Sequence, residues 1–240
     1  MSTIEEAVRA IHHLRPRRVV AFTGAGISAE SGIPTFRGSG GLWRTFRAED
    51  LATPEAFRRD PSLVWEWYEW RRQLIRNAQP NAAHRAIASL ADSVVVTQNV
   101  DGLHERAGSP SLIELHGSIF RVRCERERKT FRADEAFTTF PPLCACGAPQ
   151  RPDVVWFGEM LPAGALECAA EEIRKADLLL VIGTSGVVYP AAGLVAIHDG
   201  LSIEINPEAS PLSSAFTFAI PETAVRAVPS IIEAVQEALA

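Results

Sequence analysis

The first residues in this 240-residue chain able to do chemistry by type and spacing are Gly24-x-Gly26-x-x-Ala29, at the end of an apolar run over residues 18–23. A strand that turns into a helix through such small residues leaves bare backbone N–H groups near any pyrophosphate laid across the turn. A dehydrogenase would continue to an acidic ribose ligand about 20 positions on. Here a Gly-, Pro- and Ser-rich loop follows instead, through Glu30, Gly32, Ile33, Pro34, Thr35, Phe36 and Arg37. Such a loop reads as an ordered lid. A covered site suits a dinucleotide that is consumed, not one used only as a hydride carrier.

Three more small or polar blocks follow apolar runs, where a parallel sheet exposes ligands beyond its strand C-termini. Thr97-Gln98-Asn99-Val100-Asp101-Gly102-Leu103-His104 follows residues 94–96, and Gly183-Thr184-Ser185-Gly186 follows residues 178–182. The third is Asn206-Pro207-Glu208, after residues 201–205, whose Asn is suited to bond ribose hydroxyls in place of the missing acid. Polar loops after strands are commonplace one at a time. Four on one rim read as an extended dinucleotide site.

The elements that must hold these blocks alternate along the chain. Ile4, Ala7, Val8 and Ile11 recur at helical spacing over residues 3–15. Thr53 and Pro54 are a cap and a first helical position, opening one or two helices that reach residue 76. Further helices are expected over 81–90, 163–175, 191–197 and 229–239. Strands are expected at 18–23, 93–97, 112–115, 178–182 and 201–205, with an extended stretch at 153–157. Apolar strands alternating with helices imply an α/β fold, a Rossmann-like doubly wound parallel sheet. One catalytic domain is expected over 1–240, with a lid and helical insertion at 31–76 and a charged, cysteine-bearing module at 118–152.

Bulk properties narrow the class. With 24 basic against 29 acidic residues and a net charge of −5, the chain is not built as a dedicated nucleic-acid binder. No basic-then-apolar leader is visible, and the longest apolar run is too short to span a bilayer. Four cysteines are too few for a disulfide scaffold. The default is a cytoplasmic, monomeric enzyme.

Taken together the blocks resemble the sirtuins, the family of NAD-dependent protein-lysine deacylases. The resemblance rests on residues 24–37, on Thr97 to His104, on Glu114-Leu115-His116-Gly117-Ser118 and on Pro152-Asp153-Val154-Val155-Trp156-Phe157-Gly158-Glu159. Gly183-Thr184-Ser185 and Val188-Tyr189-Pro190 complete it, in the family's order, from about residue 17 to the C-terminus. It implies that the substrate amide oxygen first displaces nicotinamide. His116 is then the general base taking a proton from the adjacent ribose hydroxyl, which attacks the resulting imidate before water completes the transfer. The products would be nicotinamide and 2'-O-acyl-ADP-ribose. An imidazole suits that task because its ordinary pKa lies near working pH. Without the resemblance, any one of the six histidines reads first as a core or strand-end residue. His12, His13, His84 and His198 keep that reading, and His104 reads as structural support.

The resemblance also assigns the cofactor set. From the first block these are Gly24, Ala25, Gly26, Ser28, Ala29, Glu30, Ile33, Pro34, Thr35, Phe36 and Arg37. Gln98, Asn99 and Asp101 follow, Asp101 having a helix N-cap as its alternative; then Gly183, Thr184, Ser185, Asn206, Glu208 and Ala224. Val154, Trp156, Phe157, Gly158 and Glu159, with Val187 and Tyr189, resemble the two extended edges between which an acyl-lysine peptide lies as a third strand. Ala48, Tyr68 and Arg71 resemble the pocket of sirtuins that remove acidic acyl groups (succinyl and malonyl, besides acetyl). The i, i+3 spacing puts Tyr68 and Arg71 on one helix face, and an Arg fork matches a carboxylate. Arg72 and Arg76 read as solvated charges.

The cysteines depart from the family's usual two pairs. Cys124, Cys144 and Cys146 are present, Glu127 stands where a fourth ligand is expected, and Cys168 reads as a core residue on a separate helix. Structural zinc wants four ligands, so a Cys3Glu zinc site and a metal-free module held by packing both remain open. Two other functions compete with this reading: an NAD-linked dehydrogenase, supported only by residues 24–29, and a non-catalytic peptide-binding module, against which His116 speaks.

Overall fold

The computed structural model describes residues 3–35, 42–43, 46–186 and 191–240. Helix α1 (Thr3–Leu14) buries Ala7 and Ile11 on the face their spacing predicts. Strand β1 (Val19–Thr23) is buried at all five positions and leads through Ala25 into the single turn α2 (Gly26–Ala29). A short antiparallel pair, β2 (Leu42–Trp43) and β3 (Phe46–Arg47), precedes α3 (Ala48–Leu51). Helices α4 (Pro54–Arg59) and α5 (Pro61–Asn77) each begin at a proline. Thr53 Oγ1 accepts the Ala56 N–H at 3.0 Å and Asp60 Oδ1 accepts the Leu63 N–H at 2.9 Å, so the stretch to residue 76 is two capped helices.

Helix α6 (Ala82–Ala88), strand β4 (Val94–Thr97), helix α7 (Leu103–Ala107) and strand β5 (Ser111–Glu114) follow. Next come β6 (Gly117–Cys124), β7 (Thr130–Arg132) and β8 (Gln150–Val154), an antiparallel sheet in the order β7-β6-β8. The chain returns through α8 (Ala163–Lys175), β9 (Leu178–Ile182), β10 (Leu201–Ile205), β11 (Phe218–Ile220) and α9 (Ala224–Leu239).

The large sheet has the order β11-β10-β9-β1-β4-β5, and every neighbouring pair is parallel. Alternation sorts its side chains. Val19, Ala21, Leu178 and Leu180 pack against residues of α1, α6 and α9, while Val20, Phe22, Leu179 and Val181 meet α8 and residues 191–197. Each fully buried Val, Leu, Ile or Phe contributes roughly 1.5–3 kcal/mol, so both faces hold the sheet and its strands read as unbroken apolar runs. Strand β1 sits between β4 and β9. The chain leaves β1 in one direction and comes back on its other side, which opens a crevice at the C-terminal ends of β1 and β9.

A second apolar cluster joins segments distant in sequence. Trp65, Tyr68 and Ile75 of α5 pack with Ile119 and Val122 of β6, with Val154 of β8 and with Trp156, Ile33 and Val100. Arg72 corrects the sequence reading: it is fully buried, not solvated. Its Nη1 donates to the Ile119 carbonyl at 2.6 Å and its Nη2 to the Glu135 carbonyl at 2.7 Å, while Nε pairs with Glu69 at 2.9 Å. One residue on from Arg71 is a turn of about 100° on a helix, and it carries Arg72 from the pocket side to the β6 side.

Other boundaries also moved. The extended stretch expected at 153–157 is β8 at Gln150–Val154 followed by a turn, and residues 191–197 form 3₁₀ turns, not an α-helix. Helix α9 begins at Ala224, so Pro229 is inside it and not at its start. Cys168 is exposed on α8, because Ala169 and Ile173 take the face toward the sheet.

Candidate active site

The turns after β1 and β9 touch each other backbone to backbone. The Gly24 N–H donates to the Ile182 carbonyl at 3.0 Å and the Gly26 N–H to the Gly183 carbonyl at 2.8 Å. These two N–H groups are therefore committed within the protein, where the sequence reading left them bare for a pyrophosphate. The glycines are required for a different reason. Gly183 has φ +62°, and a Cβ there would lie 2.4 Å from the Ile27 nitrogen, so only glycine fits this close approach.

Around this contact lies a cavity of about 790 Å³, within the range of small-molecule sites. Gly24, Ala25, Gly26, Ala29, Glu30 and Thr35 line it from the β1 side, Gly183, Thr184 and Ser185 from β9, and Asn206, Glu208 and Ala224 from the far edge. The loops brace one another: Gln98 Nε2 donates to Thr184 Oγ1 at 3.1 Å, and Asn206 Nδ2 to the Thr184 carbonyl at 3.3 Å. Asn99, also lining the cavity, donates from Nδ2 to the Gly24 carbonyl at 3.0 Å.

Ser28, Ile33 and Asp101 are buried behind the wall, and Pro34 is exposed away from it. Ser28 Oγ donates to Asp101 Oδ2 at 2.8 Å, while Asp101 Oδ1 accepts the Leu103 N–H at 2.9 Å. Asp101 thus satisfies the first N–H of α7 from one residue before its N-cap Gly102 and braces Ser28 at once. The helix-capping reading describes its bonds, and its carboxylate does not line the cavity. Burial pushes its carboxyl pKa up, against its hydrogen bonds from Leu103 and Ser28. Phe36, Arg37, Val187 and Tyr189 lie outside the described residues.

His116 stands in the link between β5 and β6 and lines the same cavity. Its Nδ1 is 2.9 Å from the Gln98 carbonyl oxygen, and its own carbonyl accepts the Val155 N–H at 2.9 Å. A carbonyl only accepts, so Nδ1 carries the proton and Nε2 keeps its lone pair. Burial lowers the His116 pKa, partly opposed by the Gln98 bond. The following Gly117 has φ +78°, and a Cβ there would meet the Asp153 carbonyl oxygen at 2.2 Å. The geometry presents a neutral, fixed imidazole with a free basic nitrogen.

The remaining wall comes from the second apolar cluster. Tyr68, Arg71, Val154, Trp156, Phe157, Gly158 and Glu159 line it. Tyr68 is held neutral by burial, its pKa pushed up to about 12, and burial pulls that of Arg71 down against the opposing pull of Tyr68 and Asp101. The Arg71 guanidinium carbon sits 5.1 Å from the Trp67 ring centroid. Ala48 is buried in the same cluster but does not line the cavity; Glu49 and Ala52 do. Residues 156–159 are a turn and not an extended edge. The Trp156 N–H donates to Glu159 Oε2 at 2.9 Å, the Phe157 N–H to the Ala52 carbonyl at 2.9 Å and the Glu159 N–H to the Trp156 carbonyl at 3.0 Å.

Comparison with known proteins is decisive at this point. The Sir2 family profile matches residues 24–190. This chain belongs to the Sir2 family. The "NAD-dependent protein deacylase 2" of Pyrobaculum aerophilum is 52% identical over 231 residues, covering 93% of each chain. The "NAD-dependent protein deacylase" of Thermococcus kodakarensis is 50% identical, covering 94% of each. Among solved structures, a Sir2 homologue–NAD complex superposes with a TM-score of 0.90 at 46% identity, covering 98% of this chain and 95% of that one. A Sir2–p53 peptide–NAD+ complex gives 0.83 at 32% identity, covering 95% of each.

The sirtuin fold accommodates NAD here on a structural observation as well as by kinship. Thr223 Oγ1 is buried at the cavity wall with no partner among the described residues, an orphan that a bound polar ligand would satisfy. Thr223 was missed by sequence reasoning, as were Ser210 and Leu161. Ser210 is fixed because the buried carboxylate of Glu204 accepts from the hydroxyls of both Ser210 and Ser213. An acid inside a strand followed by serines six and nine residues on was the available signal.

The sirtuin's cysteines converge. The sulfurs of Cys124, Cys144 and Cys146 lie within 4.8 Å of one another, with Cys124 and Cys146 at 3.6 Å. Thiolates about 2.3 Å from a tetrahedral zinc stand roughly 3.8 Å apart, so three corners of a zinc site fit. Glu127 does not supply the fourth: its carboxylate pairs with Lys129 Nζ at 3.0 Å, and only its N–H reaches Cys124 Sγ, at 3.3 Å. Zinc held there would cross-link β6 to the turn at residues 144–146.

Proposed function

We propose that this sirtuin removes acyl groups from protein lysines in an NAD-dependent reaction, with succinyl and malonyl groups preferred over acetyl. One observation carries the reading: His116, with Nε2 unprotonated, opens into the same cavity as the dinucleotide turns and the Tyr68–Arg71 pair. NAD, as co-substrate, supplies an electrophilic ribose carbon and a nicotinamide leaving group. His116 takes the ribose hydroxyl proton at Nε2 while the Gln98 carbonyl holds Nδ1–H, fixing both tautomer and ring plane. Asn99 and the Ser28–Asp101 pair fix the nicotinamide side of the wall, and Thr184, Ser185 and Asn206 the adenosine side.

A substrate carboxylate entering a dry acyl pocket loses hydration and needs a charged partner. Arg71 supplies it, and neutral Tyr68 adds a donor. Acetyl-lysine offers neither residue an anion. The test is one peptide bearing acetyl-, succinyl-, malonyl- or glutaryl-lysine, incubated with NAD and read by mass. Release of nicotinamide with acyl-ADP-ribose is expected throughout, with kcat/KM highest for the acidic groups. Equal kcat/KM for all acyl groups would leave a general deacetylase, and NADH absorbance without free nicotinamide would mean a dehydrogenase.

The three thiols are proposed to hold one zinc per chain. Elemental analysis checks this by a ratio near one that falls on Cys144→Ser. Among the described residues no helix is long and apolar enough to cross a membrane, and a cytoplasmic monomer is the working proposal, checked by cell fractionation and light scattering.

A further inference from the structure

Four side chains from three segments form one continuous chain of contacts along the acyl wall of the cavity. Arg151, buried in β8, forks onto Glu159: Nη1 to Oε1 at 2.6 Å and Nη2 to Oε2 at 2.9 Å. Its guanidinium carbon lies 3.3 Å from the Trp156 ring centroid, and Nη2 also donates to the Val154 carbonyl at 2.8 Å. Glu159 Oε2 in turn accepts the Trp156 backbone N–H at 2.9 Å. The indole is thus gripped on its face and at its backbone. Phe57 packs against it as well, with ring centroids 5.3 Å apart.

What the grip achieves is at the indole's far end. Trp156 Nε1 donates to the Tyr68 hydroxyl oxygen at 2.8 Å, a buried bond. An indole N–H only donates, and so does a guanidinium. Neither Trp156 nor Arg71 can take the Tyr68 proton, and among the described residues no other group accepts it, which leaves that proton for an acceptor entering the cavity that Tyr68 lines. A free phenol would rotate and offer its lone pairs as readily as its proton.

We propose that Trp156 is a positioning residue for acyl-group selection, locking the Tyr68 hydroxyl as a donor toward the substrate's acyl carboxylate, with Arg151 and Glu159 holding the indole. This rests on the acidic-acyl reading given above and adds to it the device that orients Tyr68. A phenol anchored in this way pays its orientation cost on folding, so the bond to substrate appears in KM.

The test compares Trp156→Phe, Tyr68→Phe and the double variant on succinyl and acetyl forms of one peptide. Trp156→Phe keeps an aromatic ring beside Arg151 while removing the N–H together with one ring of the buried indole, so packing loss is common to both substrates and only the ratio reports the hydrogen bond. The succinyl-to-acetyl ratio of kcat/KM is expected to fall about tenfold or more in Tyr68→Phe, the lower end for a hydrogen bond to a charged group. It should fall by a smaller factor, about three- to tenfold, in Trp156→Phe, where the hydroxyl stays but its anchor is lost. In both cases the change comes through KM for the succinyl peptide. The double variant should fall no further than Tyr68→Phe. Equal losses for both acyl groups in Trp156→Phe, or a double variant that multiplies the two losses, would overturn the proposal.

A second readout does not depend on acyl preference. The chain has two tyrosines, so ring-carbon NMR of ¹³C-tyrosine protein resolves Tyr68 once Tyr189→Phe identifies the other signal. The Tyr68 Cζ resonance is expected to move in Trp156→Phe, and an unmoved resonance in a folded variant refutes the positioning. If wild type lacks acidic preference and Arg71→Met leaves the ratio unchanged, the acidic-acyl reading has failed and, with it, the selection role of Trp156; the resonance shift then reports the hydrogen bond alone.

Discussion

The two walls of the cavity are built in opposite ways. On the dinucleotide side, short turns after parallel strands meet through backbone: Gly24 and Gly26 bond to the carbonyls of Ile182 and Gly183. On the acyl side, side chains from α5, β8 and the turn after β8 reach across to one another, as in the Trp156–Tyr68 and Arg151–Glu159 bonds. A backbone contact depends on the absence of side chains, and a side-chain chain depends on the identity of each member. The first wall is therefore brittle and general. The second is specific and separable into parts.

The largest expected effect sits where the walls meet. His116→Ala should lower kcat for every acyl group by about 10²–10⁴-fold, the usual contribution of a general base, with the melting temperature held and NAD still bound. Turnover within about tenfold of wild type would remove His116 from the chemistry and with it the junction between the walls.

Breaking the brittle wall should cost stability before selectivity. Gly183→Ala puts a side chain at φ +62° and 2.4 Å from the Ile27 nitrogen. A loss of roughly 2–4 kcal/mol by urea unfolding is expected from strain and overpacking, together with weaker NAD binding. An unchanged unfolding midpoint would show that the two turns separate easily and that the contrast drawn above is false.

The specific wall should fail piecemeal. Arg71→Met is expected to reduce desuccinylation about 10- to 150-fold, the range for a hydrogen bond to a charged group, chiefly through KM, with a smaller effect on deacetylation. Losses of equal size for both acyl groups would show that this wall, too, acts as a unit.

The remaining expectations concern pH, and over any one unit each is small. Burial holds the folded pKa of His116 below its ordinary value near 6.5. The base is then already neutral at pH 7, and the acid limb of kcat/KM should lie below pH 6.5; a limb above it would mean an anion outweighs burial at the ring. His84 and His104 have folded pKa values lowered by burial to about 4 and about 3, and their ring centroids lie 4.8 Å apart with the planes tilted by 58°. Their unfolded forms protonate first as pH falls. The stability tied to their neutral state is complete above about pH 6.5 and drains away toward pH 3–4, at up to about 1.4 kcal/mol per pH unit for each ring. Unfolding free energy should already decline between pH 7 and 5, and His104→Gln should flatten that slope.

The same contrast decides what could be read from sequence. The large sheet was legible because strands buried on both faces are unbroken apolar runs between helical periods, and the dinucleotide blocks follow them directly. His116 was legible only through a resemblance, since one imidazole after a strand has many ordinary explanations. What escaped were consequences of packing between distant segments. Arg72, one step from Arg71, differs from it by burial against β6, which no local pattern encodes. The turn at residues 156–159 depends on Arg151 and Glu159 finding each other in space, and Cys168 faces outward because Ala169 and Ile173 are the better core neighbours.

The interlocked glycines also set the paths open to descent with modification. At Gly24, Gly26 and Gly183 an added methyl group meets backbone within 2.4–2.8 Å, so a side chain at any of the three displaces the turn. Across the cavity, Tyr68 and Arg71 meet side chains instead, Trp156 through its Nε1–H and Trp67 through its ring face. Substitution on the acyl side is thus expected to alter which acyl group is removed before it alters the use of NAD.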